Sequence, residues 1–195
     1  MKYTFLMNEE ERLLFCKYAE KAKIYLEFGS GGSTIWTLLN VAARVYSIES
    51  ERDLLVEMRK HAVIRDAESA GQLRLYHIDI GKTRGWGYPD GDKNKELFPL
   101  YSSDIFNDEK SCYADTVLID GRFRVACALK CILNLRDRNA VIMVHDFWDR
   151  EYYHIILKYV NVIDRAGTLG VFSIKDGVDA ALVEKDYELY KYDPR

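Results

Sequence analysis

Three glycines interrupt an apolar run early in the chain. Residues 24–34 read IYLEFGSGGST: apolar Ile24, Leu26 and Phe28 around the acid Glu27, then Gly29, Ser30, Gly31 and Gly32, then Ser33 and Thr34. The pattern predicts a strand, a tight turn and the start of a helix. Glycine tolerates positive φ and lets a ligand approach the backbone closely. The first N–H groups of a helix have no partner inside it and point at whatever lies in the turn. The chemistry of such a segment is the holding of a nucleotide-like ligand. Twenty residues beyond Gly29 stands Glu49, at the end of the short strand pattern Val45–Ile48. A carboxylate placed there either accepts hydrogen bonds from ribose hydroxyls, the reading favoured at this distance from a glycine turn, or is a solvated acid at the start of the next helix.

Further polar residues close later strand patterns. Asp79 stands near the end of LRLYHIDI, Asp120 ends DTVLID, and His145-Asp146 follow AVIM and Val144. Ligands of open α/β sheets bind beyond the carboxyl ends of the strands. Five parallel strands would therefore bring Glu27, Glu49, Asp79, Asp120 and His145-Asp146 to one rim. His145, as an imidazole, is a candidate general base for an acceptor hydroxyl, or else a strand-end histidine that caps a loop or bonds the next acid. Arg122 and Arg124 could clamp a carboxylate or phosphate, or pair with surface acids. The stretch 81–113, rich in Gly, Pro and aromatics, is expected to be a long substrate or lid loop. Trp86, Tyr88, Phe98 and Tyr101 within it either cover a substrate or pack the loop onto the body.

The elements that must position these groups follow from periodicity. Asn8–Lys21 is an amphipathic helix within an N-terminal segment 1–22, with Asn8 as its cap. Residues 34–43 and the run VACALKCIL form apolar helices. Tyr152, Ile155, Ile156, Tyr159, Val160 and Ile163 repeat at three and four and predict another. Val171–Ile174 and Val178–Val183 flank Asp176-Gly177, a hairpin signal. Repeated βα units imply a parallel sheet with helices on both faces, closed by an antiparallel pair.

At 195 residues with no repeat or linker pattern, one domain spanning 1–195 is expected. A net charge of −3, from 28 basic and 31 acidic side chains, speaks against nucleic acid as a partner. No run is apolar enough for a membrane span and no signal-peptide pattern opens the chain. Cys16, Cys112, Cys127 and Cys131 form no CxxC or zinc spacing. The expectation is a reduced, cytoplasmic protein. The sequence leaves the oligomeric state open.

The segment EFGSGGS resembles motif I of the class I S-adenosylmethionine-dependent methyltransferases. IDGRFR and VHDFW are similar to segments of a small branch of that family, akin to the macrocin-type and catechol-type O-methyltransferases. The resemblance implies a Rossmann-like three-layer α/β/α sandwich with strand order 3-2-1-4-5-7-6. It also implies S-adenosylmethionine as cofactor and a small-molecule acceptor methylated at a hydroxyl oxygen. The expected cofactor contacts are Glu27, Phe28, Gly29, Ser30, Gly31, Gly32, Ser33, Glu49, Asp79 and Asp120. Asp120, His145 and Asp146 would serve the reaction, and Trp86 and Arg122 the acceptor. In these relatives carboxylates at the ends of the fourth and fifth strands hold a divalent metal, which here would place Mg²⁺ on Asp120 and Asp146. This chain departs from them where Arg122 follows Gly121 and Phe147 follows Asp146.

Two other functions fit parts of the pattern. An NAD(P)-dependent reductase would use the glycine turn, although the third glycine of the dinucleotide fingerprint falls on Thr34. A non-catalytic domain binding a cofactor or a partner would need no acceptor site.

Overall fold

In the computed structural model, residues 5–108 and 110–195 are described, without the side chain of Cys112. Residues 1–4, part of the expected N-terminal segment, and the Cys112 thiol lie outside that set.

Seven strands form the central sheet. They are β1 (Ile24–Phe28), β2 (Arg44–Glu49), β3 (Leu73–His77), β4 (Thr116–Ile119), β5 (Val141–Val144), β6 (Val160–Ala166) and β7 (Leu169–Ile174). Their spatial order is β3-β2-β1-β4-β5-β7-β6, with the first five parallel and β7 antiparallel to both of its neighbours. This is the expected order. Strands buried on both faces need apolar residues at successive positions, and β4 (TVLI) and β5 (VIMV) supply them. The period of two then divides each strand between two cores. Leu26, Phe28, Val117, Ile119, Ile142 and Val144 enter one, while Tyr25, Leu118 and Met143 enter the other.

Helices α1 (Glu9–Ala19), α2 (Gly32–Asn40), α3 (Arg52–Met58) and α4 (Ala62–Ser69) cover the Tyr25 face. On the Leu26 face lie α5 (Phe98–Ser103), α6 (Arg124–Leu135) and α7 (Ala180–Tyr190). The start of α1 is fixed by a capping box: Glu11 N–H donates to Asn8 Oδ1 at 2.9 Å and Asn8 N–H to Glu11 Oε2 at 2.9 Å.

Two expectations about the C-terminal third require correction. The apolar residues of 152–163 do not form one helix. A 3₁₀ segment, Glu151–Lys158, gives way to β6, whose β-branched Val160, Val162 and Ile163 suit a strand. The closing hairpin is therefore β6–β7, turning at Gly167 with φ +52. Asp176-Gly177 turns the chain out of β7 and into α7, which Asp179 caps through Ala181 N–H at 2.9 Å. Helical and strand spacings overlap in short apolar runs, and pairing with β7 decided the outcome.

The described part of the stretch 81–113 holds short ordered elements. Phe98, Tyr101 and Ile105 are buried in the core beside Phe123. Thr83–Arg84 and Tyr88–Pro89 pair as a small antiparallel ladder around Trp86.

Candidate active site

The parallel strands end on one side of the sheet, where a cavity of about 760 Å³ opens. That volume lies within the usual range for small-molecule sites. Gly29, Ser30, Gly31, Gly32, Ser33, Glu49 and Asp120 line it, together with Trp86, Arg122, His145 and Asp146. Glu27, Phe28 and Asp79 do not.

Each exclusion has a physical reason. Phe28 lies in the core against Tyr101. Asp79 is exposed two residues beyond β3, and its carboxylate accepts the Gly81 N–H at 2.9 Å. Glu27 is fully buried beneath the glycine turn. Its carboxylate accepts from Tyr25 Oη at 3.0 Å, Ser33 Oγ at 2.8 Å, Ser47 Oγ at 2.7 Å and the Thr34 hydroxyl. Burial pushes its pKa up to about 7 against the pull of those hydroxyls. Glu27 thus ties β1 to β2 and to the start of α2, and shapes the turn from below.

Gly29 takes φ +96 and Gly31 takes an extended φ of 169, from which a Cβ would meet nothing within 4 Å. The first glycine answers to backbone conformation, the second to open space on the cavity side. Thr34, at the position of the missing third glycine, is fully buried and accepts the Gly31 N–H at 2.9 Å. Glu49 ends β2 at the cavity wall. Its carboxylate accepts N–H groups of Ser30 at 3.2 Å, Ser50 at 2.7 Å and Glu51 at 2.9 Å. These bonds fix its orientation, and burial still holds its pKa above the usual carboxylate range.

Across the cavity, His145 is gripped on both ring nitrogens. Nδ1 lies 2.9 Å from Asp120 Oδ1 and Nε2 lies 3.3 Å from Glu11 Oε2. Burial disfavours the imidazolium, but the bond to Asp120 and the charges of Asp120 and Asp146 outweigh it, and the pKa is raised. Both ring nitrogens thus face carboxylates, and His145 ties the end of β5 to Asp120 and to α1. Glu11, from α1, is a residue that sequence reasoning read only as part of a helix start. Its carboxylate also accepts Thr168 N–H and Oγ1, each at 2.7 Å. Burial would raise its pKa, but these bonds pull it down to about 2.

No protein-family model and no curated protein matches this sequence. Solved structures do resemble it. A methyltransferase-like protein of Silicibacter pomeroyi is 25% identical over 99% of both chains, with a TM-score of 0.85. The O-methyltransferase of Bacillus cereus, solved with S-adenosylhomocysteine, is 16% identical over 88% of this chain and 83% of its own, with a TM-score of 0.57. An S-adenosylhomocysteine-bound methyltransferase of Podospora anserina is 11% identical over 87% and 80%, with a TM-score of 0.54.

The chain has the class I methyltransferase fold. Within that fold the resemblance places a divalent metal at the ends of β4 and β5, where Asp120, His145 and Asp146 do cluster. The donors do not fit one. Arg124, 3% exposed, lies between the two carboxylates, with Nη2 3.3 Å from Asp120 Oδ1 and Nη1 3.0 Å from Asp146 Oδ2. Arg150 adds a second guanidinium 2.8 Å from Asp146 Oδ2. Arg124 also donates to the carbonyls of Gly121, Asp120 and His145, and so fastens the two strand ends together. In this methyltransferase fold a fixed cation stands where the resemblance puts Mg²⁺. Arg150 reaches Asp146 across the non-helical turn after β5, so no helical spacing in the sequence announces the pair.

Proposed function

We propose that this chain is an S-adenosylmethionine-dependent methyltransferase acting on a small molecule at a hydroxyl oxygen. The observation that carries the reading is a single cavity with two kinds of wall. On one side stand the glycine turn, the start of α2 and Glu49; on the other stand Asp120, His145 and Asp146. The solved neighbours with bound S-adenosylhomocysteine support the choice of cofactor.

The residues fit such a cofactor. The free side of Gly31 leaves room for its body, and Glu49 is oriented to accept from ribose hydroxyls. When bound, the cofactor supplies an activated methyl group on a sulfonium. What the protein then does is align the acceptor and keep water out. Asp120 is suited to the first task, because Oδ2 makes no hydrogen bond to a described residue while Oδ1 is held by His145. An acceptor hydroxyl donating to Oδ2 would be fixed in direction and its oxygen made more electron-rich. His145 and Arg124 hold that carboxylate still.

A reductase reading has less support. Tyr187 and Lys191, the residues nearest to a Tyr-x-x-x-Lys pair, lie on and after α7, and Tyr187 Oη approaches Ser102 Oγ at 3.2 Å in the core. We place the protein in the cytoplasm on its free thiols Cys16, Cys127 and Cys131. No described helix is long and apolar enough to cross a membrane. Calorimetric titration with S-adenosylhomocysteine, and separately with NADH, tests the cofactor class. Saturable binding of the first alone supports methyl transfer, and binding of NADH alone would replace it.

A further inference from the structure

Three arginines reach the cavity, and they are not equivalent. Arg124 and Arg150 are neutralised by Asp120 and Asp146. Arg122 is not. It is 8% exposed, forms no ion pair with a described carboxylate, and its buried Nε has no hydrogen-bond partner among the described residues. Its guanidinium instead lies over the ring of Tyr88, 4.3 Å from the centroid.

A buried, unpaired guanidinium is costly unless a ligand completes it. The contact with the Tyr88 ring holds the group at the cavity, and its Nε–H, one donor of the fork that binds planar oxyanions, is left without a partner among the described residues. The neighbourhood is built rather than accidental. Gly87, at φ +69, brings the 85–88 turn to 3.7 Å from Arg122 Cγ, measured from where a Cβ would stand. The same turn holds Trp86, at φ +66 and 72% exposed as a residue, at the cavity wall.

We propose that Arg122 receives an oxyanion, a carboxylate or a phosphate, carried by the methyl acceptor. The inference rests on the methyl-transfer reading and names the acceptor class for the same site. The exposed face of Trp86 then contacts the apolar part of the acceptor. The positive charge favours an acidic acceptor over a neutral one, because an anion offsets the charge of a desolvated guanidinium as well as accepting its hydrogen bonds.

The test is calorimetry on the full chain saturated with S-adenosylhomocysteine, titrated with benzoate and, separately, with inorganic phosphate. Saturable binding of at least one anion is expected, and the stronger of the two identifies the group. Arg122→Met should weaken that binding by about 10- to 100-fold. Arg122→Lys, which keeps the charge and loses the fork, should retain part of it. Affinity for S-adenosylhomocysteine should stay within about threefold in both variants. Failure of both anions to bind the wild-type protein, or unchanged binding in Arg122→Met, overturns the proposal. Loss of S-adenosylhomocysteine affinity by about tenfold in both variants also overturns it, by assigning Arg122 to the cofactor. If Arg122→Met does not fold, the lysine variant carries the comparison. If wild-type protein binds no S-adenosylhomocysteine, the methyl-transfer reading fails by itself. The anion titrations then run on the unliganded chain, and only their outcome decides whether Arg122 is an oxyanion site.

Discussion

A Cβ on Gly29 would lie 2.7 Å from the backbone nitrogen of Gly121, and one on Gly121 would lie 2.9 Å from the nitrogen of Gly29. The ends of β1 and β4 meet back to back with no space for a side chain between them. Gly29→Ala adds that overlap to the strain of a positive φ, and should cost about 1–3 kcal/mol or more. Gly31→Ala meets neither obstacle and should melt within about 0.5–1 kcal/mol of wild type. Gly31→Arg should leave the fold intact but fill the cavity and abolish S-adenosylhomocysteine binding. Thermal melts and calorimetry on the three variants separate the roles. Unchanged affinity in Gly31→Arg would sink the cofactor assignment.

Arg124 supports both strand ends at once. Arg124→Met removes the cation shared by Asp120 and Asp146, leaving Asp120 with His145 and Asp146 with Arg150, and should destabilise the protein by about 1–3 kcal/mol. Melting temperature and cofactor affinity of the wild type should be indifferent to EDTA and to added Mg²⁺. A metal-dependent rise in either would show that a cation can displace the guanidinium.

Glu27 couples the glycine turn to pH. Its folded pKa stands raised from 4.5 to about 7 by burial. The protonated folded state is therefore favoured: the contribution is fully present below about pH 4.5 and is lost as pH rises through about 7. Glu27→Gln cannot titrate, so its stability should lack this decline. Across that window the wild type should lose on the order of 3 kcal/mol relative to the variant. Urea melts of both proteins between about pH 5 and 8 test it, and parallel curves would mean that Glu27 stays ionised throughout.

His145 should act in the same direction at higher pH. Its folded pKa is raised by its carboxylate partners despite burial. Its contribution is present below the ordinary histidine range and is lost as pH rises through the folded value. Glu11→Gln removes one of those partners and one support of the β6–β7 turn at Thr168. A cost of about 1–3 kcal/mol is expected. The histidine titration followed by NMR should move toward its ordinary value in that variant, and no movement would detach Glu11 from His145.

Much of this protein was written in local pattern. Alternating and continuous apolar runs marked the five parallel strands, and the glycine turn with Glu49 beyond it located one wall of the cavity. Those features depend on residues near in sequence, where periodicity and backbone preference dominate. Tertiary structure decided the rest. Glu27 and Phe28 carried the right chemistry in the right motif, yet burial turned both away from the cavity. The run 152–163 satisfied helical spacing, yet pairing with β7 drew its second half into the sheet. His145 stands at a strand end in the sequence, and only the fold sets Glu11, 134 positions earlier, against its second nitrogen. Arg124 and Arg122 differ by two positions, and only the fold neutralised one and left the other unpaired. Charge and protonation are set by neighbours in space, and a strand order that interleaves distant segments brings those neighbours together only when the chain has folded.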